Sequence, residues 1–137
     1  MDGRKYVLMS IKPRYAELIK SGEKTLELRR IAPKVNPGDI LIIYESMPVK
    51  RITTFCTIDE MIIAEPEELW KMAKGAAGLS HDAFVRYFAG KSQAAGIKLR
   101  NVHLLKEPKL LSVISMNLRA PQSYRYLGQE EFQIVIK

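Results

Sequence analysis

Cysteine occurs once in these 137 residues and histidine twice. A lone Cys56 excludes an intramolecular disulfide and any metal site built from several cysteines. It lies in the apolar run from Ile52 to Ile63 and reads as a small buried hydrophobe. His81 and His103 have no second histidine or cysteine at ligand spacing, so no metal is expected. No apolar stretch approaches the ~20 residues of a membrane span, and no basic amphipathic helix suits a membrane surface. G-x-S-x-G, a P-loop and a dinucleotide-binding glycine pattern are all missing, so no cofactor is expected. Internal repeats, low-complexity tracts and interdomain linkers are also absent. The segment Met1-Asp2-Gly3-Arg4-Lys5 runs straight into strand-like sequence with no signal-peptide core, so the expected location is the cytoplasm.

What is present fits one domain, residues 1–137, with an ordinary apolar fraction of 47%. Lys and Arg number 22 against 15 Asp and Glu, a net charge of +7. That surplus favours polyanionic partners, nucleic acid first. Tyr6 to Ile11 is rich in strand formers. Pro13 suits the first turn of a helix whose Tyr15, Leu18 and Ile19 share one face, and Gly22 closes it in the left-handed conformation. From Thr25 the period changes to two. Leu26 and Leu28 share one face of a strand, while Thr25, Glu27 and Arg29 share the other, Glu27 and Arg29 roughly 7 Å apart. Lys24, at the mouth of the turn, reaches toward them, and Lys12 lies near Lys24.

Asn36-Pro37-Gly38-Asp39 is a type II turn, followed by the continuous apolar strand Ile40 to Tyr44. Tyr44, Glu45 and Ser46 enter a turn closed by Pro48, where Tyr44 either stacks a base or caps the fold. Arg51 to Ala64 is too long to be flat and has apolar residues of both parities, so it bends at a bulge. Asp59 and Glu60 are adjacent on a strand and face opposite sides, which prevents joint acid/base work unless a bulge intervenes. Pro66 opens a helix ended by Gly75-Ala76-Ala77-Gly78. Ser80 caps a second, whose Phe84, Tyr87 and Phe88 read as core packing and whose His81 is exposed without a partner. Gln93 to Leu105 alternates as a strand that carries His103 on the apolar parity, as a core residue. Pro108 begins a less regular segment, Ala120 to Leu127 reads as an ordered loop, and propensity favours a strand over Phe132 to Ile136. The order β-α-β-β-β-α-α-β lacks regular βαβ alternation and predicts an α+β fold, a mixed barrel with helices packed against its ends.

Gly22-Glu23-Lys24-Thr25-Leu26-Glu27-Leu28-Arg29 reads as G-x-K-x-x-E-x-R, which resembles the signature of the ASCH domain family, a PUA-like group of small barrels. Leu8 to Pro13 is similar to the family's first strand and loop, Tyr44 to Lys50 to its third-strand turn, and Ala120 to Leu127 to a C-terminal motif of its bacterial and prophage members. The resemblance implies a PUA-like mixed β-barrel and a helix, in place of a strand, at Phe132 to Ile136. It also implies that Tyr44, Ser46, Gln122 and Ser123 join Lys12, Lys24, Glu27 and Arg29 around one charged groove.

A groove built only for phosphate would be basic throughout, and a carboxylate among bases suggests that a nucleobase edge is read as well. The expected partner is therefore RNA or a nucleotide or nucleoside, with Lys12, Lys24 and Arg29 on phosphates and Tyr44 or Tyr124 stacking a base. One branch of the family hydrolyses N4-acetylcytidine with a lysine, a threonine and a glutamate. Lys24 matches the lysine, Glu27 stands in the threonine's place, and the glutamate maps near Ala83, beside Asp82. On that alternative Lys24 and Glu27 would be catalytic, and ribonuclease activity is a related possibility.

Overall fold

The computed structural model describes residues 3–137. Strands Tyr6–Ile11 (β1), Leu26–Arg29 (β2), Ile40–Glu45 (β3), Arg51–Ala64 (β4), Ala94–Lys109 (β5) and Tyr124–Leu127 (β6) form one sheet in the order β2-β5-β4-β3-β1-β6. Only the β1–β3 pairing is parallel; the other neighbours run antiparallel. Helices Pro13–Ser21 (α1), Pro66–Ala73 (α2), His81–Tyr87 (α3) and Gln129–Ile136 (α4) pack against this curled sheet. The architecture is the expected mixed one, a half-barrel with helices against it.

Three apolar clusters organise it. Inside the curl, Met9, Leu41, Ile43, Cys56, Ile58 and Ile97 meet Ala16 and Ile19 of α1. On the opposite face of β1 and β3, Leu8, Ile42 and Tyr44 meet Phe132 and Val135 of α4. The third cluster joins Leu26 and Leu28 of β2 to Leu69, Phe84 and Phe88 of α2 and α3. Because Leu26 and Leu28 are committed outward to the helices, the strand's alternation turns Glu27 and Arg29 inward. At the far end of α1, Lys20 pairs with the buried Glu45 at 2.5 Å, and Thr53 donates to the same carboxylate at 2.6 Å.

Bulges interrupt both long strands and flip side-chain parity, as expected for β4 but not for β5, which reads as evenly alternating. Register shifts fall at Thr53 and Asp59 in β4 and beside Asn101 in β5, where Asn101 has φ +53°. The flip at Asn101 overturns the core reading of His103. Leu99 and Val102 face the inner cluster, whereas His103 is exposed and stacks on Phe55 at 4.9 Å. His81 is not without a partner, since its ring nitrogen lies 2.9 Å from Glu67 and its ring contacts Trp70. Asp59, set apart by its bulge, pairs with Arg100 at 3.2 Å and not with another acid.

The tail departs from its local propensities. Tyr124–Leu127, read as loop, adds to the edge beside β1, where it finds free ladder groups. Gln129–Ile136 is helical because Phe132 and Val135, at helical spacing, cover the outer cluster, and Glu131 accepts from the Gly128 N–H at 2.8 Å.

Gly96 lets β5 come close to its neighbours: a Cβ there would lie 2.9 Å from the Leu69 Cδ1 and 3.0 Å from the Leu26 Cδ1. Both leucines are buried, so Gly96→Ala should destabilise by about 1–3 kcal/mol. An unchanged urea midpoint would show that the helix and strand yield freely. Burial, assisted by the Glu27 charge, pushes the Cys56 thiol up to about 12. Cys56 should therefore ignore a disulfide reagent at pH 8 in the native protein and react once guanidinium unfolds it. Fast labelling of the native state would contradict its place in the core.

Candidate functional site

Three consecutive geometric decisions bring the charged residues together. Gly22, at φ +86°, ends α1, and the Lys24 N–H then returns to the Leu18 carbonyl at 2.9 Å. The Thr25 and Leu26 N–H groups both bond the Ala76 carbonyl, which ties the start of β2 to the loop between α2 and α3. Gly78, at φ +77°, allows that loop to lie on the lysine stem, where a Cβ would sit 3.1 Å from Lys24 Cδ. Lys24 is thereby buried to 4% exposure.

Within this setting Lys24, Glu27 and Arg29 form a row. Glu27 Oε2 lies 2.8 Å from Arg29 Nη2 and 3.1 Å from Nε, the side-by-side arrangement natural to a guanidinium. Glu27 Oε1 lies 3.6 Å from Lys24 Nζ. Lys24 also donates to the carbonyls of Leu26 and Ala77. Arg29 continues across the open side of the sheet, donating to the Ser10 carbonyl at 2.9 Å and to Ser123 Oγ at 3.3 Å. Burial lowers the Lys24 pKa, an effect that Glu27 counters and Arg29 reinforces. Two N–H groups of the ammonium are thus taken by backbone carbonyls, and the third side of the ammonium faces Glu27 as an ion pair. Lys24 is therefore held in place by the backbone of β2 and of the loop after α2.

The row forms the floor of a cavity of about 970 Å³. Lys12 and Arg14 come from the start of α1, Arg30 follows β2, and Arg86 and Tyr87 come from α3. Ser46, Lys91 and the segment from Ala120 to Ser123 complete the walls. Among the described residues, seven of the lining are Lys or Arg and Glu27 is the one carboxylate, so the cavity is electropositive.

Of the residues the sequence nominated, Lys12, Lys24, Glu27, Arg29, Ser46, Gln122 and Ser123 line this cavity. Tyr44 and Tyr124 do not. Tyr44 has even parity on β3 and is buried in the outer cluster, while Tyr124 packs against the inner core from β6. Neither is placed to stack a base in this cavity. Where the hydrolase resemblance puts a second carboxylate, the wall carries the Ala83 methyl, and the neighbouring Asp82 is exposed and outside the lining. That constellation is incomplete in this chain.

Sequence reasoning missed Arg14, Arg30, Arg86, Tyr87 and Lys91. Arg30 had a signal, since it follows the signature directly; its Nη1 donates to the Tyr87 and Ala89 carbonyls at the end of α3. Tyr87 belongs to the aromatic stripe read as core, yet its hydroxyl bonds the Leu28 carbonyl at 3.2 Å and its ring borders the cavity. Arg14 stays on Tyr15, with its guanidinium 4.7 Å from the ring centroid. The side chains of Lys12, Arg86 and Lys91 have no hydrogen bond or ion pair among the described residues.

Removing Glu27 would leave Lys24 and Arg29 facing each other without a counter-charge. Glu27→Ala should therefore cost about 3–5 kcal/mol, as for other broken buried pairs. Urea denaturation checks this, and a midpoint within error of wild type would show that the row does not hold the fold.

The ASCH domain family model matches residues 9–117. An ASCH domain-containing ribonuclease of Zymomonas mobilis is 31% identical over 135 residues, spanning 97% of this chain and 91% of that protein. The crystal structure of ASCH from Zymomonas mobilis superposes with a TM-score of 0.91 at 31% identity, covering 97% of this chain and 94% of that one. Human THYN1, crystallised with 5-methylcytosine-containing DNA, shares the fold at a TM-score of 0.58 and 14% identity, covering 96% and 95% of the two chains. With the family model matched over most of its length and a relative aligned nearly end to end, this chain belongs to the ASCH domain family.

Proposed function

We propose that the protein binds single-stranded RNA in the cavity floored by Lys24, Glu27 and Arg29. The observation that carries this reading is the charge of the lining, seven cations around a single carboxylate in an opening of about 970 Å³. Cations on the walls meet phosphates. Glu27, whose two oxygens are oriented by Lys24 and Arg29, accepts from the exocyclic amine or ring N–H of a base. An unpaired base can turn its edge to the floor, whereas a base inside a duplex cannot.

Cleavage of the bound RNA is a second reading, favoured by the ribonuclease of Zymomonas mobilis at 31% identity. In that reaction the ribose 2′-oxygen forms a bond to phosphorus, the P–O5′ bond breaks, the 2′-OH proton passes to a base and O5′ takes a proton. Glu27 is the carboxylate on the cavity floor available to accept the first proton, and the wall cations stabilise the charge that builds on the phosphorus oxygens. Lys24 positions Glu27 from the other side, 3.6 Å from its Oε1.

Fluorescence anisotropy with a labelled single-stranded RNA, alongside a denaturing gel of the same mixtures, tests both readings. Glu27→Gln keeps the side chain's shape and makes the protein more positive, so diffuse attraction predicts equal or tighter binding. Recognition at the floor predicts binding roughly tenfold weaker, or about 1.4 kcal/mol. Equal or tighter binding by Glu27→Gln would overturn the cavity as the RNA site. Cleavage products from wild type that persist undiminished in Glu27→Gln would remove the second reading.

A further inference from the structure

We infer that the phosphates in this cavity are held by Lys12, Arg86 and Lys91, and that the ligand is a stretch of several nucleotides, not a free nucleoside. The inference rests on the RNA reading above and assigns roles within it. The cations of the G-x-K-x-x-E-x-R signature are already engaged. Lys24 donates to two backbone carbonyls and faces Glu27. Arg29 is engaged with Glu27, Ser10 and Ser123. A phosphate would have to compete with these hydrogen bonds for either cation.

The unengaged positive charge lies elsewhere on the same cavity. Lys12 and Arg86 are exposed and Lys91 is half-buried, and all three line the opening with side chains that have no hydrogen bond or carboxylate partner among the described residues. They come from separate elements: Lys12 from the junction of β1 and α1, Arg86 from α3, and Lys91 from the turn between α3 and β5. Cations supplied from separate walls suit successive phosphates along a strand, which a nucleoside lacks. The signature thus shapes the floor and the rim supplies the electrostatic affinity.

The test is the salt dependence of binding to a labelled ten-nucleotide RNA, 2′-O-methylated so that it stays intact, between 50 and 200 mM salt. Each phosphate contact on a single strand contributes about 0.7 to the slope of log K against log salt. The triple variant Lys12→Ala, Arg86→Ala, Lys91→Ala should lose about 2 from that slope and bind at least ~10-fold more weakly at 0.1 M salt. A control triple, Lys71→Ala, Lys98→Ala, Lys106→Ala, removes the same charge from exposed positions outside the cavity and should keep the slope. Unlabelled uridine at millimolar concentration should leave the complex intact.

An equal loss of slope in both triples would mean diffuse attraction and overturn the inference. So would an unchanged slope in the rim variant, or displacement of the RNA by uridine. The cavity reading itself would survive an unchanged rim slope if Glu27→Gln still weakened binding. Absence of binding by wild type would remove both.

Discussion

The structure depends on one carboxylate held between two cations. Glu27 lies between Lys24 and Arg29 at a place where the sheet has no backbone ladder to close it, since β2 and β6 are the two edges. Arg29 spans part of that gap from the side, reaching the Ser10 carbonyl of β1 and Ser123 just before β6. The row also fixes the loop after α2 through the Lys24 bond to Ala77. A four-residue edge strand has few ladder bonds of its own, and its position is set instead by leucines packed outward and charges paired inward. Such a row is costly to desolvate, and its value lies less in net stability than in specifying one arrangement of the elements it joins.

The same row divides the positive charge of the molecule into two populations. Lys24 and Arg29 are spent on backbone carbonyls and on Glu27, so their charge shapes the cavity floor without being free to move. Lys12, Arg86 and Lys91 remain hydrated on the walls, where a polyanion can displace their counterions. Rigid groups below and free groups above fit the proposed RNA site, which would orient a base and attract a backbone. Burial lowers the Lys24 pKa, and the Glu27 carboxylate beside it counters that shift.

The departures from the local readings share a physical origin. An extra residue beside Asn101 reverses parity along β5, so His103 leaves the core although Ala95, Ile97 and Leu99, on the same parity, are inside. Tyr124 to Leu127 has weak strand character but lies beside an edge with unmet ladder groups, and pairing wins. Phe132 to Ile136 favours a strand by propensity, yet the outer cluster needs a helix to cover it, and burial outweighs a few tenths of a kcal/mol per residue.

Local chemistry was written in the sequence. The Gly22 stop, the alternation of Leu26 and Leu28 with Glu27 and Arg29, the proline openings of α1 and α2 and the Ser80 cap all act over a few residues, so neighbouring side chains suffice to predict them. The signature and its three companion segments likewise marked the family and most of the cavity floor. Long-range chemistry was not legible there. Arg86 and Lys91 lie more than fifty residues from the row they overlook, Tyr44 falls on the far face of β3, and the Lys24 ammonium meets Ala77 across the chain. Only the curl of the sheet decides which charges are consumed and which stay free, because hydrogen-bond partners and solvent access are properties of the closed fold.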